Sequence, residues 1–522
     1  MGSPERRRLA VFIALVLGSS CTLRRATPGE STDGGAPDGG APDGGAPAAS
    51  VLEYHNGPGR NGVYIDAGLT KTSAATFHVD PSFHATVSGN IYAQPLFFAS
   101  GPGGKALVLV ATELNTVYAL DASSGSAVWT RPLGPSVPGS QLPCGNIDPL
   151  GVTGTPVIDP AGRTLFVAAL TTPDGGVTKK HLIYAISLDD GSVRPGWPVD
   201  VSASASTGSL AFDSSLENQR GALGLVGGRL YVPYGGHYGD CGAYHGWLIG
   251  VAIANPADVK AWATGLAGGG AWAVGGVASD GSSLYLATGN TQSSPSSSWG
   301  GGDALLRFST GPSFSGSPVD YFAPSDWQTL DAGDLDLGGT GPLVVDVPGA
   351  TPAQVLVGLG KDGKVYLANR TNLGGVGGTP GIAVASGEII GAAAAYATSN
   401  GTYVVFWGSG HSCPSGQSGD LTALRIYPGA QPPVSTAWCA LQNGGGSPMV
   451  TTTDGRSEAI VWSVGAEGDE RLHGFDGDTG AVVFGGGGPG DAMGKVQHFQ
   501  TPILAGGRIF VAADGAVVAF VR

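Results

Sequence analysis

Short apolar runs alternate with clusters of turn-forming residues along most of the chain. The runs TLFVAAL (164–170), LYVPYG (230–235) and IFVAAD (509–514) follow the tight turns DPAGR, VGGR and AGGR. Runs of this length, rich in β-branched and aromatic residues and bounded by Gly, Pro, Asn and Asp, predict β-strands. Apolar residues at helical spacing are scarce. The pattern therefore predicts an all-β protein with many tight turns.

The predicted strands fall into units that open in the same way. Five units open with a proline before a short apolar run, two open with a glycine, and one weaker unit opens with an alanine-rich run. The openings are Pro95, Pro156, Gly221, Gly276, Pro342, Ala393, Pro448 and Pro502. They recur roughly every sixty residues, which is the signature of a repeat architecture. Each opening but the last is followed by four strand-like runs, and such repeated sheets predict a single β-propeller.

We count eight blades, and seven is the alternative if the run near Ala393 is not a true blade. The last unit, QTPILAGGRIFVAADGAVVAFVR, holds only three strands before the chain stops. The segment AATFHVDPSF (74–83) precedes the first opening and contains one strand-like run. We expect this N-terminal strand to complete the last blade, because such closure leaves no open sheet edge.

The third and fourth strands of a unit are joined by a recurring motif. In NTVYALDASSGSAVWTRPLG (115–134), Asp121, Ser124 and Gly125 form the turn and Trp129 follows in the fourth strand. A second good copy spans 474–484 and a degenerate copy spans 185–197. The stretch 119–129 resembles the motif A-x-D-x-x-[ST]-G-x-x-x-W of quinoprotein-type propeller repeats. The resemblance covers nearly all of residues 51–522 at the level of the repeat and implies that each aromatic residue packs on the next blade.

The N-terminus has the organisation of an export signal. Three arginines at positions 6–8 precede the apolar stretch LAVFIALVLG and the sequence SSC, which ends at Cys21. We interpret residues 1–20 as a lipoprotein signal peptide and Cys21 as the lipidated residue, with an ordinary secretory signal as the alternative. The Gly/Ala/Pro/Asp tract over 21–50 is expected to be a disordered tether, and 51–522 the propeller. By resemblance to other lipoproteins, the expected location is the outer membrane, on its periplasmic or outer surface.

Charge and cysteine content narrow the function. The formal net charge is −14 and no basic stripe is present, which argues against nucleic acid and against docking on anionic lipid. Besides Cys21 there are four cysteines, an even number that predicts two disulfides in an exported protein. Three pairings are possible, and the predicted topology favours Cys144–Cys241 and Cys413–Cys439.

The longest loops should gather at one end of the propeller. Loops between second and third strands, and loops between blades, share a face in this topology, and four of the nine histidines lie in them. The candidate ligand-binding residues are His237, Asp240, His245, Asn290, Asp303, His411, Asp420 and His498. The alternative is that these side chains hold their own loops in shape. No catalytic residue or metal site is predicted, and DAGDLDLGG (331–339) is interpreted as an acidic turn.

The resemblance also raises an enzyme hypothesis. Quinoprotein alcohol dehydrogenases hold pyrroloquinoline quinone between a tryptophan and a ring of adjacent cysteines, with Ca²⁺. This chain has no adjacent cysteines and no haem-attachment motif. We therefore expect no cofactor, with pyrroloquinoline quinone and Ca²⁺ as the alternative. The expected function is a non-catalytic binding or scaffold propeller for an envelope protein or glycan. A quinone-dependent dehydrogenase of alcohols or sugars is the alternative.

Overall fold

The computed structural model describes residues 49–294 and 296–522. The predictions that fall on residues 1–48, which include the signal peptide, lipidation at Cys21 and most of the tether, lie outside this range. Within the described residues, none of the helices has the length and apolar character needed to cross a membrane.

Eight sheets of four strands form the propeller, as the sequence predicts. Each first strand begins within three residues of a predicted opening, including the weak one near Ala393. Blade 1 comprises Leu96–Phe98, Leu107–Ala111, Thr116–Asp121 and Ala127–Pro132, and blade 2 comprises Val157–Asp159, Thr164–Thr171, Lys180–Ser187 and Val199–Asp200. Blade 3 comprises Gly224–Val226, Arg229–Gly236, Trp247–Ala252 and Asn255–Ala263, and blade 4 comprises Ala278–Ser279, Leu284–Thr288, Ala304–Phe308 and Tyr321–Ala323. Blade 5 comprises Leu343–Asp346, Gln354–Leu359, Lys364–Asn369 and Ile382–Ala383, and blade 6 comprises Ala394–Thr398, Gly401–Trp407, Leu421–Ile426 and Val434–Ala440. Blade 7 comprises Met449–Thr452, Ile460–Val464, Leu472–Asp476 and Val482–Gly485, and blade 8 comprises Ile503–Ala505, Arg508–Ala513, Ala516–Val521 and His78–Val79.

Short additional elements decorate the blades. The additional strands are Val63–Ile65, Ala85–Thr86, Ser206–Thr207, Leu210–Ala211, Glu217–Asn218, Ala350–Thr351, Gly375–Val376 and Gly429–Ala430. The α-helices are Lys71–Ala74, Val201–Ser204 and Trp327–Gly333, and the 3-10 turns are Tyr54–Asn56, Pro102–Gly104, Gly139–Gln141, Pro318–Asp320, Leu337–Gly339 and Pro489–Asp491.

The N-terminal strand closes the ring. His78–Val79 pairs antiparallel with Ala516–Val521, with His78 opposite Val521. The strand lies inside the segment that the sequence analysis assigned to this place, so the closure prediction is confirmed.

Tryptophans in fourth strands wedge successive blades together. Trp129 of blade 1 lies against Gly191, where an added Cβ would come within 2.7 Å of its ring. Trp438 of blade 6 makes the same contact with Gly480 of blade 7, at 2.8 Å. Both glycines have positive φ, at 71° and 72°. Glycine is required in these turns because it permits the conformation and leaves room for the indole.

The channel along the propeller axis is crossed by residues 51–65, which we call the channel segment. It bonds to the first strands of successive blades. Its carbonyl oxygens at Leu52, Pro58, Gly59, Asn61 and Gly62 accept hydrogen bonds from the amides of Ile158, Ser279, Val344, Ala395 and Val450, at 2.7–3.0 Å. Val51 pairs with Phe97 of blade 1. The segment therefore ties together blades that are far apart in the sequence.

Arg60 fastens the channel segment to the ring. Its side chain is 1% exposed. It donates to the carbonyls of Leu223 (2.8 Å) and Val277 (2.9 Å), and it forms an ion pair with Glu53 at 3.0 Å. A buried guanidinium is tolerated when its donors are matched in this way.

Candidate functional site

Connections between second and third strands, and those between blades, meet at one end of the propeller, which we call the rim. The predicted bridges form there: Cys144 bonds to Cys241 and Cys413 bonds to Cys439, with Cα–Cα distances of 6.0 and 5.6 Å. The first bridge joins two connections, and the second joins the blade 6 connection to Cys439 near the end of the fourth strand of that blade. Disulfides are typical of proteins that fold in an oxidising compartment, so the bridges indicate an exported protein.

The blade 3 connection places three of the predicted residues close in sequence but not around one point. His237 is 1% exposed, and burial lowers its pKa to about 4, so the ring is neutral at physiological pH. Asp240 accepts a hydrogen bond from the hydroxyl of Tyr244 at 2.7 Å. His245 lies 3.0 Å from the carbonyl of Thr264 through Nδ1. Asp240 and His245 make separate contacts, whereas Nε2 of the buried His237 has no hydrogen-bond partner among the described residues.

Glu217 lies beneath this loop and was not predicted from the sequence. Its Oε1 accepts from the amide of His245 at 3.0 Å and from Nε1 of Trp247 at 3.1 Å. Burial raises its pKa to about 8. No lysine or arginine in the described parts of the chain forms an ion pair with it. Glu217 is thus a protonated, buried carboxyl group near the rim at neutral pH.

His411 and Asp420 lie in the blade 6 connection and have local roles. Asp420 accepts from the amides of Gln442 (2.7 Å) and Gly444 (3.1 Å) and so fixes the exit from the fourth strand. His411 is exposed and contacts the hydroxyl of Ser412 at 3.0 Å. The hydrogen bonds of Asp420 support the alternative that this side chain stabilises the local loop conformation.

Asn290 and Asp303 meet the acidic segment that follows blade 4. The Asn290 side chain donates to Asp334 at 3.0 Å, and its backbone amide donates to Asp336 at 2.8 Å. Asp303 accepts from the amide of Leu337 at 3.0 Å. Burial, then the nearby carboxylates, raise the pKa of Asp303 well above its ordinary value. The segment 331–339 was interpreted as an acidic turn, but its first three residues belong to the helix Trp327–Gly333 and its last three form the 3-10 turn Leu337–Gly339.

Trp272 stands between two cations at this end of the channel. The guanidinium carbon of Arg220 lies 5.8 Å from its ring centroid, and Nζ of Lys361 lies 5.6 Å away. Lys361 also forms an ion pair with Asp336 at 2.5 Å. None of Arg220, Trp272 and Lys361 was predicted, because the connections that carry them are single and show no repeated pattern. Cation–π contacts of this kind attract both charged groups to the Trp272 ring.

Arg220 lines a cavity on the axis of the propeller. The cavity is bounded by Tyr92, Asn146, Ile147, Thr153, Thr155, Arg220, Val274, His498 and Phe499. Arg220 is half-buried, its Nε has no hydrogen-bond partner among the described residues, and no carboxylate in that range lies at ion-pair distance. His498, which was predicted, lines the same cavity and bonds Glu467 at 2.9 Å. The cavity therefore presents a cation that the described chain leaves unpaired.

Solved structures share this fold at low sequence identity. No family model and no curated protein matches the sequence. A quinohaemoprotein alcohol dehydrogenase from Pseudomonas putida HK5 is 13% identical, with a TM-score of 0.62 over 90% of this chain and 80% of that one. A europium-containing methanol dehydrogenase is 14% identical, with a TM-score of 0.61 over 91% of both chains. BamB from Moraxella catarrhalis is 15% identical, with a TM-score of 0.46 over 86% and 98%.

These comparisons correct one prediction. The sequence analysis predicted no cofactor, and this prediction is wrong. The fold is shared with a quinohaemoprotein and with a europium-containing enzyme. Within the described residues, no group of three or more His, Cys, Asp and Glu side chains could hold a metal ion. At these identities the comparisons establish the architecture alone: the chain shares the β-propeller fold of the two dehydrogenases.

Proposed function

We propose that this protein is an exported, non-catalytic binding propeller that presents its rim to an envelope protein or a glycan. The observation that carries the proposal is Arg220, whose guanidinium faces the axial cavity without a carboxylate partner from the described chain. An unpaired cation in a half-buried place is unfavourable for folding. The cavity itself holds about 20 Å³, room for about one water, so a carboxylate of a protein or an acidic glycan would reach the guanidinium from the rim.

Two other features support a binding role. Trp272 offers a flat face beside two cations, which suits a sugar ring or an apolar side chain next to an anion. The two disulfides brace rim connections, and a braced surface loses less conformational entropy on binding.

We also propose that Cys21 is lipidated and anchors the propeller to the outer membrane. The basic n-region, the short apolar stretch and Cys21 support this assignment. A Cys21→Ser variant should move from the membrane fraction to the soluble fraction. Retention of the variant in the membrane fraction would contradict the anchor and leave the binding role untouched.

The binding role is tested by site-specific photo-crosslinking in the producing cell. A photoreactive residue replaces Tyr238 at the rim (62% exposed) or Val482 at the opposite end (64% exposed). We expect an adduct of defined mass from the rim position and none from the control position. Equal labelling from both positions would overturn the proposal. Dye-linked alcohol oxidation by protein supplied with quinone and Ca²⁺ would also overturn it, because the propeller would then be an enzyme.

A further inference from the structure

The rim carries a row of exposed apolar side chains over three consecutive blades. Leu114, Val177 and Tyr238 lie in the connections between second and third strands of blades 1, 2 and 3, and are 44%, 80% and 62% exposed. Single exposed apolar residues need no explanation, but a contiguous patch marks an interaction site. The question is whether the three form one surface.

The connection between blades 1 and 2 joins the three loops into one surface. The amide of Gly151 donates to Glu113, next to Leu114, at 2.6 Å. The amide of Thr172, which begins the loop carrying Val177, donates to Pro135 at 3.1 Å. The Cys144–Cys241 bridge ties the same connection to the loop that carries Tyr238. We call this surface, which comprises residues 133–152 and the loops of Leu114, Val177 and Tyr238, the rim arc.

The exposed charges of the rim arc are negative. Asp148, Asp174 and Asp240 are exposed, and none of them has a lysine or arginine at ion-pair distance in the part of the chain described here. Arg220 acts on Asp240 only from a distance. The one cation within the loops, Lys179, is half-buried and its ammonium lies 3.0 Å from the carbonyl of Gly176. The rim arc therefore combines apolar side chains with unpaired carboxylates.

We propose that the rim arc docks a cationic amphipathic segment of another polypeptide. The proposal rests on the proposed binding function, in the form in which the partner is a protein, and adds a contact separate from the carboxylate expected at Arg220. Apolar side chains of the segment would cover Leu114, Val177 and Tyr238, while its lysines or arginines pair with the surrounding carboxylates. The rigid, bridged arc lowers the entropy cost of docking.

Three exposed apolar residues at the end of the propeller opposite the rim provide a matched control. Ile65, Val376 and Val482 are apolar and 64%, 44% and 64% exposed, close to the values in the rim arc. They lie where first and second strands, or third and fourth strands, are connected, away from the rim. Replacing these three by serine removes similar apolar area without touching the arc.

The test measures binding of a short, fluorescent lysine–leucine amphipathic peptide to the full chain by anisotropy. The triple variant Leu114→Ser, Val177→Ser, Tyr238→Ser should weaken binding at least about tenfold, whereas the control triple should stay within about twofold of the native protein. Binding should also fall as salt rises, since the charge pairs lie at the surface. Equal losses in both triples, or binding that salt does not affect, would overturn the proposal.

A second measurement separates this inference from the proposed function. The rim triple is combined with the photoreactive residue placed at Leu441, which lies on the rim between blades 6 and 7 and is 56% exposed. Loss of the cellular adduct in the rim triple, but not in the control triple, supports the arc. An adduct that persists in the rim triple refutes the arc and leaves the binding function standing. Both triples must keep their two disulfides and the native circular dichroism spectrum.

Discussion

The channel segment and the rim treat buried charge in opposite ways. In the channel, Arg60 is matched by Glu53 and by backbone carbonyls. At the rim, Arg220 faces a cavity and Glu217 is buried beneath the blade 3 connection, each without an ion-pair partner among the described residues. Matched charge holds a structure together, whereas unmatched charge costs stability and persists where function requires it. The contrast separates the structural end of the channel from the candidate site.

Replacing the two arginines should have the largest effect and test the contrast directly. Arg60→Met leaves Glu53 and several carbonyls without a donor and should cost about 3–5 kcal/mol of stability. Arg220→Met removes a cation that has no ion-pair partner and should leave the melting temperature unchanged or slightly raised. Circular dichroism melts of both variants check this. Similar losses in the two variants would show that Arg220 is also structural.

The sequence predicted the repeated parts of this molecule and the two disulfides, but it missed other contacts between unrepeated segments. Blade openings and the Trp129 and Trp438 wedges recur with a fixed local pattern, so their positions could be inferred from a single chain. Arg220, Trp272 and Lys361 come from different connections and meet only because the ring closes. The channel segment contributes about one backbone bond per blade, and backbone bonds leave no signature in side-chain chemistry.

The pH dependence of stability should reveal the titration of Glu217, the buried carboxyl group at the rim that has no ion-pair partner among the described residues. Glu217 has a native pKa of about 8 against an ordinary value of 4.5, so its native form holds a proton that the unfolded form loses. Its contribution is fully present below pH 4.5 and is lost as the pH rises through about 8. A tenfold difference in proton affinity between the folded and unfolded chains corresponds to about 1.4 kcal/mol of stability.

Glu217→Gln keeps the acceptor for His245 and Trp247 but removes the titration. We expect the melting temperature of the variant to rise relative to the native protein between about pH 5 and 9, the range in which the native protein loses this contribution. A difference that does not change with pH would mean that Glu217 is ionised in the native state.

Removing one disulfide should destabilise the rim locally and leave the hydrogen-exchange protection of the channel segment unchanged. The double variant Cys413→Ser, Cys439→Ser releases a bridge between residues 26 apart, and bridges of this span contribute about 3 kcal/mol. Hydrogen exchange should accelerate over residues 408–420, because this loop is closed by the bridge. Residues 51–65 should keep their protection, since their partners are the first strands of many blades. Faster exchange in both regions would show that the rim and the channel segment unfold together.

The smallest effect on stability is expected at His411, which lies in the same blade 6 connection as Asp420. The side chain of His411 is exposed and bonds only to Ser412 among the residues that the structure describes, so His411→Ala should change stability by less than about 0.5 kcal/mol. Asp420→Ala leaves the amides of Gln442 and Gly444 without an acceptor and should cost about 1–3 kcal/mol. Urea melts measure both. A rim adduct that disappears in His411→Ala while stability is unchanged would make His411 a ligand contact, and a neutral Asp420→Ala would show that water replaces its carboxylate.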